Sequence, residues 1–502
     1  MRILIDTNIF IYRENDHILP NDLQILLNVL NQLEIKLLIH PDSIKEIMRD
    51  LNEERKNIAL SKLNTYLTLE SPPDQNRDKI FYNVVGQPSK INDDVDNAIL
   101  YAVYKDAVDF LITEDKGIHK KAIRLNIKDR ILSLEEALSI FINDINSEGL
   151  RRPPALNCDS VYNLNVNDPF FDSLKEEYGE SEFEDWFIRI SREGRQCWIY
   201  SEKADMIGAL LIYKVEKEPI DSIPSFTAKK RLKLSTFKVK YVGYKIGELF
   251  IKLAVGYCIR NNIDEMYLTH FTKSDDYLVD LITEYGFYKA AIKSNGEDIY
   301  MKELLVNKQE SESMHSVEIS KRFYPSFYDG IEVNKFVVPI EPEFHDRLFT
   351  ENIGRQTKLN EFDGGFIIEG NTILKAYLCH SNIKRIIPGD ILLFYRSKDI
   401  QAITSLGIVE KVFQNRQNKD EIIKYVGKRT VYTIDEIADI AQNSTLVILF
   451  TWHFHLAKQL NLSKLKELGI LKHAPQSITQ RSHQQYLLIK SNGGINERFT
   501  VN

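Results

Sequence analysis

Residues 1–12 of the chain are MRILIDTNIFIY, an apolar run that stops at Asp6-Thr7-Asn8 and then resumes. The first run is too short for a helix and predicts a buried strand of a parallel sheet. In open α/β sheets ligands bind beyond the carboxyl ends of the strands, which is where this strand would place Asp6. The same tripeptide also suits a helix cap, so taken alone it leaves both roles open.

A second apolar segment repeats this pattern further along the chain. Residues 108–112 are followed by Thr113, Glu114 and Asp115. Between the two segments, Glu46 is expected in the first turn of a helix capped by Asp42 or Ser43. Two strands that end in aspartate can converge at one edge of a parallel sheet.

Three further acids, Asp93, Asp94 and Asp96, crowd the predicted start of one helix. A helix dipole accommodates one or two of them, but three like charges within four residues repel unless a positive charge lies nearby. Clusters made only of oxygen ligands select hard divalent cations such as Mg²⁺ or Mn²⁺. With phosphodiesters, such an ion lowers the pKa of a bound water and stabilises the charge that develops.

Taken together, these acids resemble those of the PIN domain, the metal-dependent nuclease fold of many toxin ribonucleases. The resemblance covers about residues 1–145. It implies that four acids are catalytic and hold Mg²⁺ or Mn²⁺, with Thr7, Asn8 and Thr113 supporting them. Asp93 lies one turn before Asp96 and could face the same cleft, whereas Asp94 is expected in solvent. The four acids are Asp6, Glu46, Asp96 and Asp115.

Residues 155–305, after a linker at residues 151–154, alternate predicted strands and helices. A strand over residues 232–239 leads through a glycine-bearing turn into a helix that ends near Cys258. Such a turn presents free backbone N–H groups to an anion, although two glycines are also explained by a tight turn alone. Strands at residues 265–271 and 298–303 flank a helix at residues 275–285.

This order is similar to that of the GNAT acyltransferases. The resemblance implies that acetyl-CoA is held by the backbone of Val239, Tyr241, Gly243, Ile246 and Gly247. The chain departs from the family at several positions. Val242 stands where the family has Gln or Arg, and Lys245 where it has Gly. Ile282 stands where the family has a tyrosine that acts as general acid, a role that Tyr285, Tyr277 or water would have to fill.

Residues 306–338 are predicted to be a linker, and residues 339–502 are rich in short predicted strands with two helices. These strands, at residues 373–379, 390–395, 405–412 and 485–490, predict a small β-barrel. Residues 387–395 and 407–410 resemble PUA-like barrels of the ASCH and EVE group, which implies RNA binding. Charge, stacking and edge hydrogen bonds for unpaired RNA would come from Arg396, Lys398, Trp452, His453, His455 and Gln476.

Composition agrees with a large globular protein. A length of 502 residues suggests about three domains, and a net charge of −7 restricts nucleic-acid binding to local patches. The four cysteines lie far apart, which argues against zinc and disulfides. The sequence predicts neither a membrane span nor a signal peptide, and therefore a cytoplasmic protein.

The expected fold class is thus multidomain α/β and α+β: a PIN parallel sheet, a GNAT mixed sheet and a PUA-like barrel. The expected function is a metal-dependent ribonuclease with an acyl-CoA domain and an RNA-binding domain, by analogy a toxin or a stress or defence factor. Its partners would be RNA and either a protein antitoxin or an acetylation target, with a homodimer also open. The alternatives are an N-acetyltransferase on a degenerate PIN scaffold and a non-catalytic RNA-binding adaptor.

Overall fold

The computed structural model describes residues 1–6, 9, 21–33, 35–49, 56, 66–88, 90–141, 156–201, 206–240, 245–274, 276–306, 308–349 and 372–502. Five residues discussed above, Thr7, Asn8, Tyr241, Val242 and Gly243, lie outside this part of the chain. The chain forms two compact units. The first comprises residues 1–150, 378–380 and 413–447, and the second the remaining residues.

The first unit is built on a five-stranded sheet in the order β3-β2-β1-β4-β5. Every neighbouring pair in it is parallel. Residues Ile3, Leu4 and Ile5 of the central strand and all of Phe110–Ile112 beside it are apolar and buried, as expected for strands covered on both faces. The strands are β1 (Arg2–Ile5), β2 (Lys36–Ile39), β3 (Leu67–Thr68), β4 (Phe110–Ile112) and β5 (Ile131–Leu132).

Six helices of residues 1–150 are described. They are α1 (Asn21–Gln32), α2 (Pro41–Ile47), α3 (Lys79–Val85), α4 (Ile91–Tyr104), α5 (Lys116–Arg124) and α6 (Leu134–Phe141). The polar stretch between β3 and α4, which contains Pro72, Pro73 and Pro88, therefore includes a helix, α3. Asp78 caps α3 by accepting from Phe81 N at 3.0 Å, and buried Phe81, Tyr82 and Val85 lie on its inner face.

Residues 413–447 complete the first unit from far along the chain. They carry α14 (Lys419–Val426) and α15 (Ile434–Ile440). Lys424 Nζ lies 2.6 Å from Asp106 Oδ1, and Arg429 pairs with Asp129 at 3.4 Å. These ion pairs join two segments of one unit that are about three hundred residues apart in sequence.

The second unit contains a seven-stranded sheet in the order β11-β12-β10-β9-β8-β7-β6. The pair β9–β10 is parallel and the other pairs are antiparallel, so the sheet is mixed as predicted. The strands are β6 (Asn157–Ser160), β7 (Gln196–Ser201), β8 (Ile207–Glu216), β9 (Arg231–Val239), β10 (Glu265–His270), β11 (Tyr288–Ile292) and β12 (Asp298–Glu303). Its helices are α7 (Asp172–Tyr178), α8 (Glu180–Arg192), α9 (Ile246–Arg260) and α10 (Tyr277–Glu284).

A six-stranded sheet follows, in the order β15-β18-β17-β16-β14-β19. Its strands are β14 (Lys335–Ile340), β15 (Leu374–Cys379), β16 (Ile391–Arg396), β17 (Ala402–Arg416), β18 (Thr445–Asn461) and β19 (Thr479–Arg481). Among the described residues this sheet is open, so the expected barrel is not formed: β15 and β19 are its two edges and do not pair with each other. A separate parallel pair joins β13 (Phe327–Tyr328) to β20 (Thr500–Val501).

The helices beside this sheet are α11 (Lys308–Ser311), α12 (Ser316–Arg322), α13 (Pro342–Leu348), α16 (Leu462–Glu467) and α17 (His483–Gly493). The strand predicted at residues 485–490 is wrong, because this segment lies inside α17. Ser482 caps the helix in a reciprocal pair of hydrogen bonds with Gln485, which fixes the first turn.

The two sheets of the second unit share buried apolar residues. One cluster centred on α9 contains Phe250 and Ala254 together with Tyr324, Ile373 and Phe499. In the part of the chain that the structure describes, no helix is long and apolar enough to cross a membrane.

Candidate functional site

Asp6 lies at the carboxyl edge of the parallel sheet, beside the end of β4. The register pairs Ile5 with Ile112, which places Asp6 and Thr113 next to each other. The Thr113 hydroxyl donates to Asp6 Oδ2 at 2.6 Å, and both side chains are buried. The bond holds the Asp6 carboxylate in one orientation, in the position that the first strand predicted.

Asp96 lies in the second turn of α4, because the helix begins at Ile91 rather than near Val95. The pKa of Asp96 is raised to about 7, first by burial and then by the charges of Asp115, Asp6 and Glu46, against a lowering effect of Lys121. The charges of the three other acids of the predicted set therefore all act on the carboxyl group of Asp96.

Glu46 lies in the last turn of α2 rather than in its first. Helix α2 begins at Pro41 with His40 as its N-cap, whose Nδ1 accepts from Asp42 N at 3.2 Å, so the predicted caps Asp42 and Ser43 are wrong. Burial raises the pKa of Glu46, and the charge of Asp6 adds to this. Glu46 therefore belongs to the same electrostatic cluster.

Asp115 has a structural role that is compatible with a place in the cluster. It caps α5, accepting from Ile118 N at 2.9 Å through Oδ1, and its own N–H donates to Thr113 Oγ1 at 3.0 Å. Thr113 therefore bonds both to Asp6 and to the backbone of Asp115. A single buried hydroxyl fixes the ends of both acidic segments.

The neighbouring acids of α4 have local partners. Asp93 Oδ2 accepts from Lys90 N at 3.1 Å at the helix start. Asp94 Oδ1 accepts from Gln75 Nε2 at 3.4 Å.

The acid cluster fits a divalent cation in charge but is not arranged to hold one as it stands. Its donors are carboxylate oxygens, and burial together with the charges of the other three acids raises the pKa of the Asp96 carboxyl to about 7. Within the described ranges, no three Asp, Glu, His or Cys side chains form a group that could hold a metal ion. Ion binding would therefore require the carboxylates to draw together.

In the mixed sheet of the second unit, the parallel strands β9 and β10 separate before they end. Their pairing stops at Leu234 and Leu268, although β9 continues to Val239 and β10 to His270. We call this opening the fork. The fork faces the start of α9. The predicted phosphate-binding turn leads into this helix.

Helix α9 begins beside the fork at Ile246. Lys245 precedes it in the left-handed region with φ of +51°, and Ile246 and Gly247 are buried. A Cβ at Gly247 would lie 2.5 Å from Leu281 Cδ2, so glycine permits the close approach of α9 and α10. Val239, the last residue of β9, is half-buried.

Two residues near the fork were missed from the sequence. His270 Nε2 donates to Asp276 Oδ2 at 2.6 Å, at the end of β10 and the start of α10. Burial would raise the pKa of Asp276, but the bond and charge of His270 lower it to about 2. The only signal in the sequence was that His270 lies at the end of a predicted strand and Asp276 at the start of the predicted helix that follows it.

The six residues predicted to contact RNA do not form one exposed surface. Arg396 pairs with Asp399 at 2.7 Å and also with Asp346, and Lys398 pairs with Glu341 at 2.9 Å. The acidic partners offset much of the positive charge expected there. Trp452 is half-buried, and Lys252 Nζ lies 4.6 Å from the centre of its ring. Gln476 is exposed.

The two histidines of β18 are held by hydrogen bonds. His453 is buried between the Ser320 hydroxyl and the Pro325 carbonyl oxygen, each 2.8 Å from a ring nitrogen. His455 Nδ1 lies 2.9 Å from Ser405 Oγ. Both ring nitrogens of His453 are therefore taken, so it cannot share a metal with His455.

No protein-family model matches the chain, and no curated protein matches it. Among solved structures, an ASCH protein from Zymomonas mobilis is 14% identical, over 31% of this chain and 94% of that one, with a TM-score of 0.24. Ard1 from Thermoplasma volcanium is 15% identical over 30% of this chain and 95% of that one, with a TM-score of 0.23. A GNAT-family acetyltransferase from Listeria monocytogenes is 20% identical over 26% and 82%, with a TM-score of 0.20.

Proposed function

We propose that residues 1–145 form a PIN-type nuclease that cleaves RNA with a divalent cation. The observation that carries this proposal is the raised pKa of Asp96, caused by burial and then by Asp115, Asp6 and Glu46. Four acids from separate segments act on one another at the carboxyl edge of a parallel sheet. Uncompensated charge of this kind is typical of functional sites and has no evident structural use.

Asp6, Glu46, Asp96 and Asp115 would hold Mg²⁺ or Mn²⁺. The ion would supply a water of lowered pKa and a positive charge next to the scissile phosphate. The Thr113 hydroxyl would keep Asp6 oriented, and its bond to the Asp115 backbone would keep the two strand ends together. Asp115 Oδ1 is already an acceptor from Ile118 N, so its other oxygen is the better ligand.

The test compares wild type with the double variant Asp6→Asn and Asp96→Asn on a structured RNA, with Mg²⁺, with Mn²⁺ and with EDTA. We expect metal-dependent cleavage by wild type and a loss of at least about hundredfold in the double variant, since the metal and its water are lost. Asp94→Asn is the matched control, because it makes the same change in the same helix outside the cluster. Cleavage that survives the double variant or EDTA would exclude this site.

A second candidate function, acyl-CoA binding with acyl transfer, is favoured by the fork between β9 and β10. The strands separate after Leu234 and Leu268, next to the start of α9. A gap between parallel strands beside a helix N-terminus would admit a pantetheine arm on one side and a pyrophosphate on the other. His270, held by Asp276, is the residue best placed near the fork to accept a proton from an acceptor amine.

Calorimetry with acetyl-CoA tests the binding part of this proposal. We expect heat of binding and a raised melting temperature with wild type, and both should persist in His270→Gln if that residue serves only transfer. Acetylation of a mixture of peptides should then fall in His270→Gln. An absence of both heat and thermal protection would leave the fork without a ligand role.

A further inference from the structure

The six-stranded sheet of the second unit carries a cleft that the predicted RNA-binding residues do not include. It has a volume of about 340 Å³ and lies between residues 469–475 and the segment formed by β19 and the start of α17. This volume is at the lower end of the range of small-molecule sites. Its apolar wall includes buried Ile470, Leu471 and Pro475.

The cleft is built from fixed parts. Arg481 NH1 donates to Ile470 O at 2.8 Å, and Gln485 Nε2 donates to Gly469 O at 2.9 Å. Gly469 ends the preceding helix with φ of +67°, a conformation that suits glycine. The loop that forms one wall is therefore tied to the opposite wall at two points.

Two buried polar atoms of this cleft have no hydrogen-bond partner in the described part of the chain. They are Arg481 Nε and Thr479 Oγ1. Thr479 and Arg481 are two residues apart in β19, so their side chains leave the strand on the same side. A buried donor left without a partner destabilises the folded protein, and such groups call for an explanation.

The ionisable residues that line the cleft are all basic. Lys472 and His473 line the cleft and are exposed, and none of its lining residues is acidic. Burial lowers the pKa of Arg481, and no carboxylate is among the causes of the shift. A half-buried guanidinium with no acid among the residues that line the cleft is the arrangement found where an anion from outside completes the site.

We propose that this cleft binds the phosphate of a nucleotide. The Arg481 Nε–H and the Thr479 hydroxyl donate to the phosphate oxygens, and Lys472 adds charge at the mouth. Ile470 and Leu471 contact the sugar or the base. The nucleotide is either a free mononucleotide or one residue of a single-stranded RNA. The proposal does not rest on the nuclease or acyl-CoA proposals, since it uses other residues.

Binding to the full-length chain distinguishes these two sources. Calorimetry is done with inorganic phosphate, with AMP and with a short single-stranded RNA. AMP that binds as tightly as RNA identifies a free nucleotide, whereas RNA that binds much more tightly identifies a strand. Either result supports the site only if the cleft variants described next bind the tighter ligand more weakly than wild type does.

The variants separate the cleft from general surface charge. Lys472→Gln with His473→Gln changes two exposed residues and leaves the loop bonds intact, and Arg481→Lys keeps the charge but removes Nε–H. We expect affinity for the tighter ligand to fall about tenfold or more in each, as for a lost charge-assisted hydrogen bond. The control, Lys458→Gln with Lys466→Gln, changes exposed lysines outside the cleft and should leave affinity within about twofold.

Three results would overturn the proposal. They are no binding of any of the three probes, equal binding by wild type and both cleft variants, and an equal loss in the control. Melting temperatures of all variants are measured in parallel. Because Lys472 and His473 are exposed, their variant stays folded even if Arg481→Lys loosens the loop.

Discussion

At the scale of single residues, Thr113 and Asp96 contribute to the acid cluster in different ways. The Thr113 hydroxyl donates a hydrogen bond to the Asp6 carboxylate and accepts one from the backbone N–H of Asp115, and the two bonds orient the site. The ionised form of Asp96 is destabilised, because its carboxyl is buried and lies near other negative charges. A protein that keeps such a group ionised without a cation loses stability.

The pH dependence of stability follows from Asp96. Its pKa is raised from 3.8 to about 7, so the folded protein binds this proton more tightly than the unfolded chain does. The resulting stability is present below the unfolded pKa and is lost as the pH rises from about 4 to about 7. In EDTA, Asp96→Asn should therefore be more stable than wild type at pH 8 by about 2 kcal/mol, with little difference at pH 4.

Urea unfolding at the two pH values measures this difference. Asp94→Asn, in the same helix, should show no comparable gain at pH 8. Adding Mn²⁺ should raise the free energy of unfolding of wild type more than that of Asp96→Asn. If Asp96→Asn is the less stable protein at pH 8 in EDTA, Asp96 is not under repulsion.

Sequence reasoning identified the acids more surely than their surroundings. Asp6 was predictable because it directly follows an apolar strand, and Asp115 because it follows another after two residues. The position of Glu46 in α2 was not, because the helix starts two or three residues earlier than expected, at Pro41. The bond from Thr113 to Asp6 joins residues 107 positions apart, a distance that local pattern does not encode.

At the scale of elements, the turn between α10 and β11 depends on Gly286. This residue has φ of +84°, and a Cβ added to it would overlap the backbone carbonyl of Arg322 at the end of α12. The turn and the helix end therefore fit together only when the side chain is a hydrogen atom.

Replacing Gly286 by Ala should lower the free energy of unfolding by more than about 3 kcal/mol, because backbone strain and a collision with backbone atoms add. Gly296→Ala is the control for strain alone. Gly296 has φ of +87°, and its added Cβ would meet only Phe271 Cε1 at 3.9 Å. That variant should cost about 1 kcal/mol. Urea unfolding measures both free energies. Equal losses in the two variants would show that the end of α12 shifts to make room for the added methyl group.

Strand and helix types were predictable where periodicity is strong. Strand β12 has the predicted bounds, Asp298–Glu303, and β16 differs from the prediction of residues 390–395 by one residue at each end. The segment at residues 485–490 was misassigned because its apolar run was weighed above the Ser482 and Gln485 pair, a capping-box signature present in the sequence. Whether the edges of an open sheet close into a barrel depends on long-range pairing and cannot be read from local pattern.

At the scale of the whole molecule, Glu248 ties the two sheets of the second unit together. It lies in the first turn of α9, is buried, and its Oε1 accepts from the backbone N–H groups of Ile373 and Leu374 at 2.7 and 3.0 Å. Those residues also belong to the apolar cluster around α9. Sequence periodicity predicted each segment separately but contained no signal of this shared core.

Glu248→Ala should lower the free energy of unfolding by about 3 kcal/mol, since two buried N–H groups lose their acceptor. Glu248→Gln keeps an acceptor oxygen in place and should lose less than half as much. Urea unfolding followed by fluorescence gives both values. Equal losses would mean that charge, rather than the acceptor oxygen, joins the sheets.

The first unit is closed by residues 413–447, through contacts such as that of Lys424 with Asp106. A ribosome reaches this segment only after it has made the mixed sheet and most of the strands that follow. The contacts that complete the amino-terminal unit can therefore form only after the segments between have been synthesised, unlike those of a domain made from one continuous stretch. If the acid cluster is a nuclease, an unfinished chain on the ribosome carries all four acids without the segment that completes their unit.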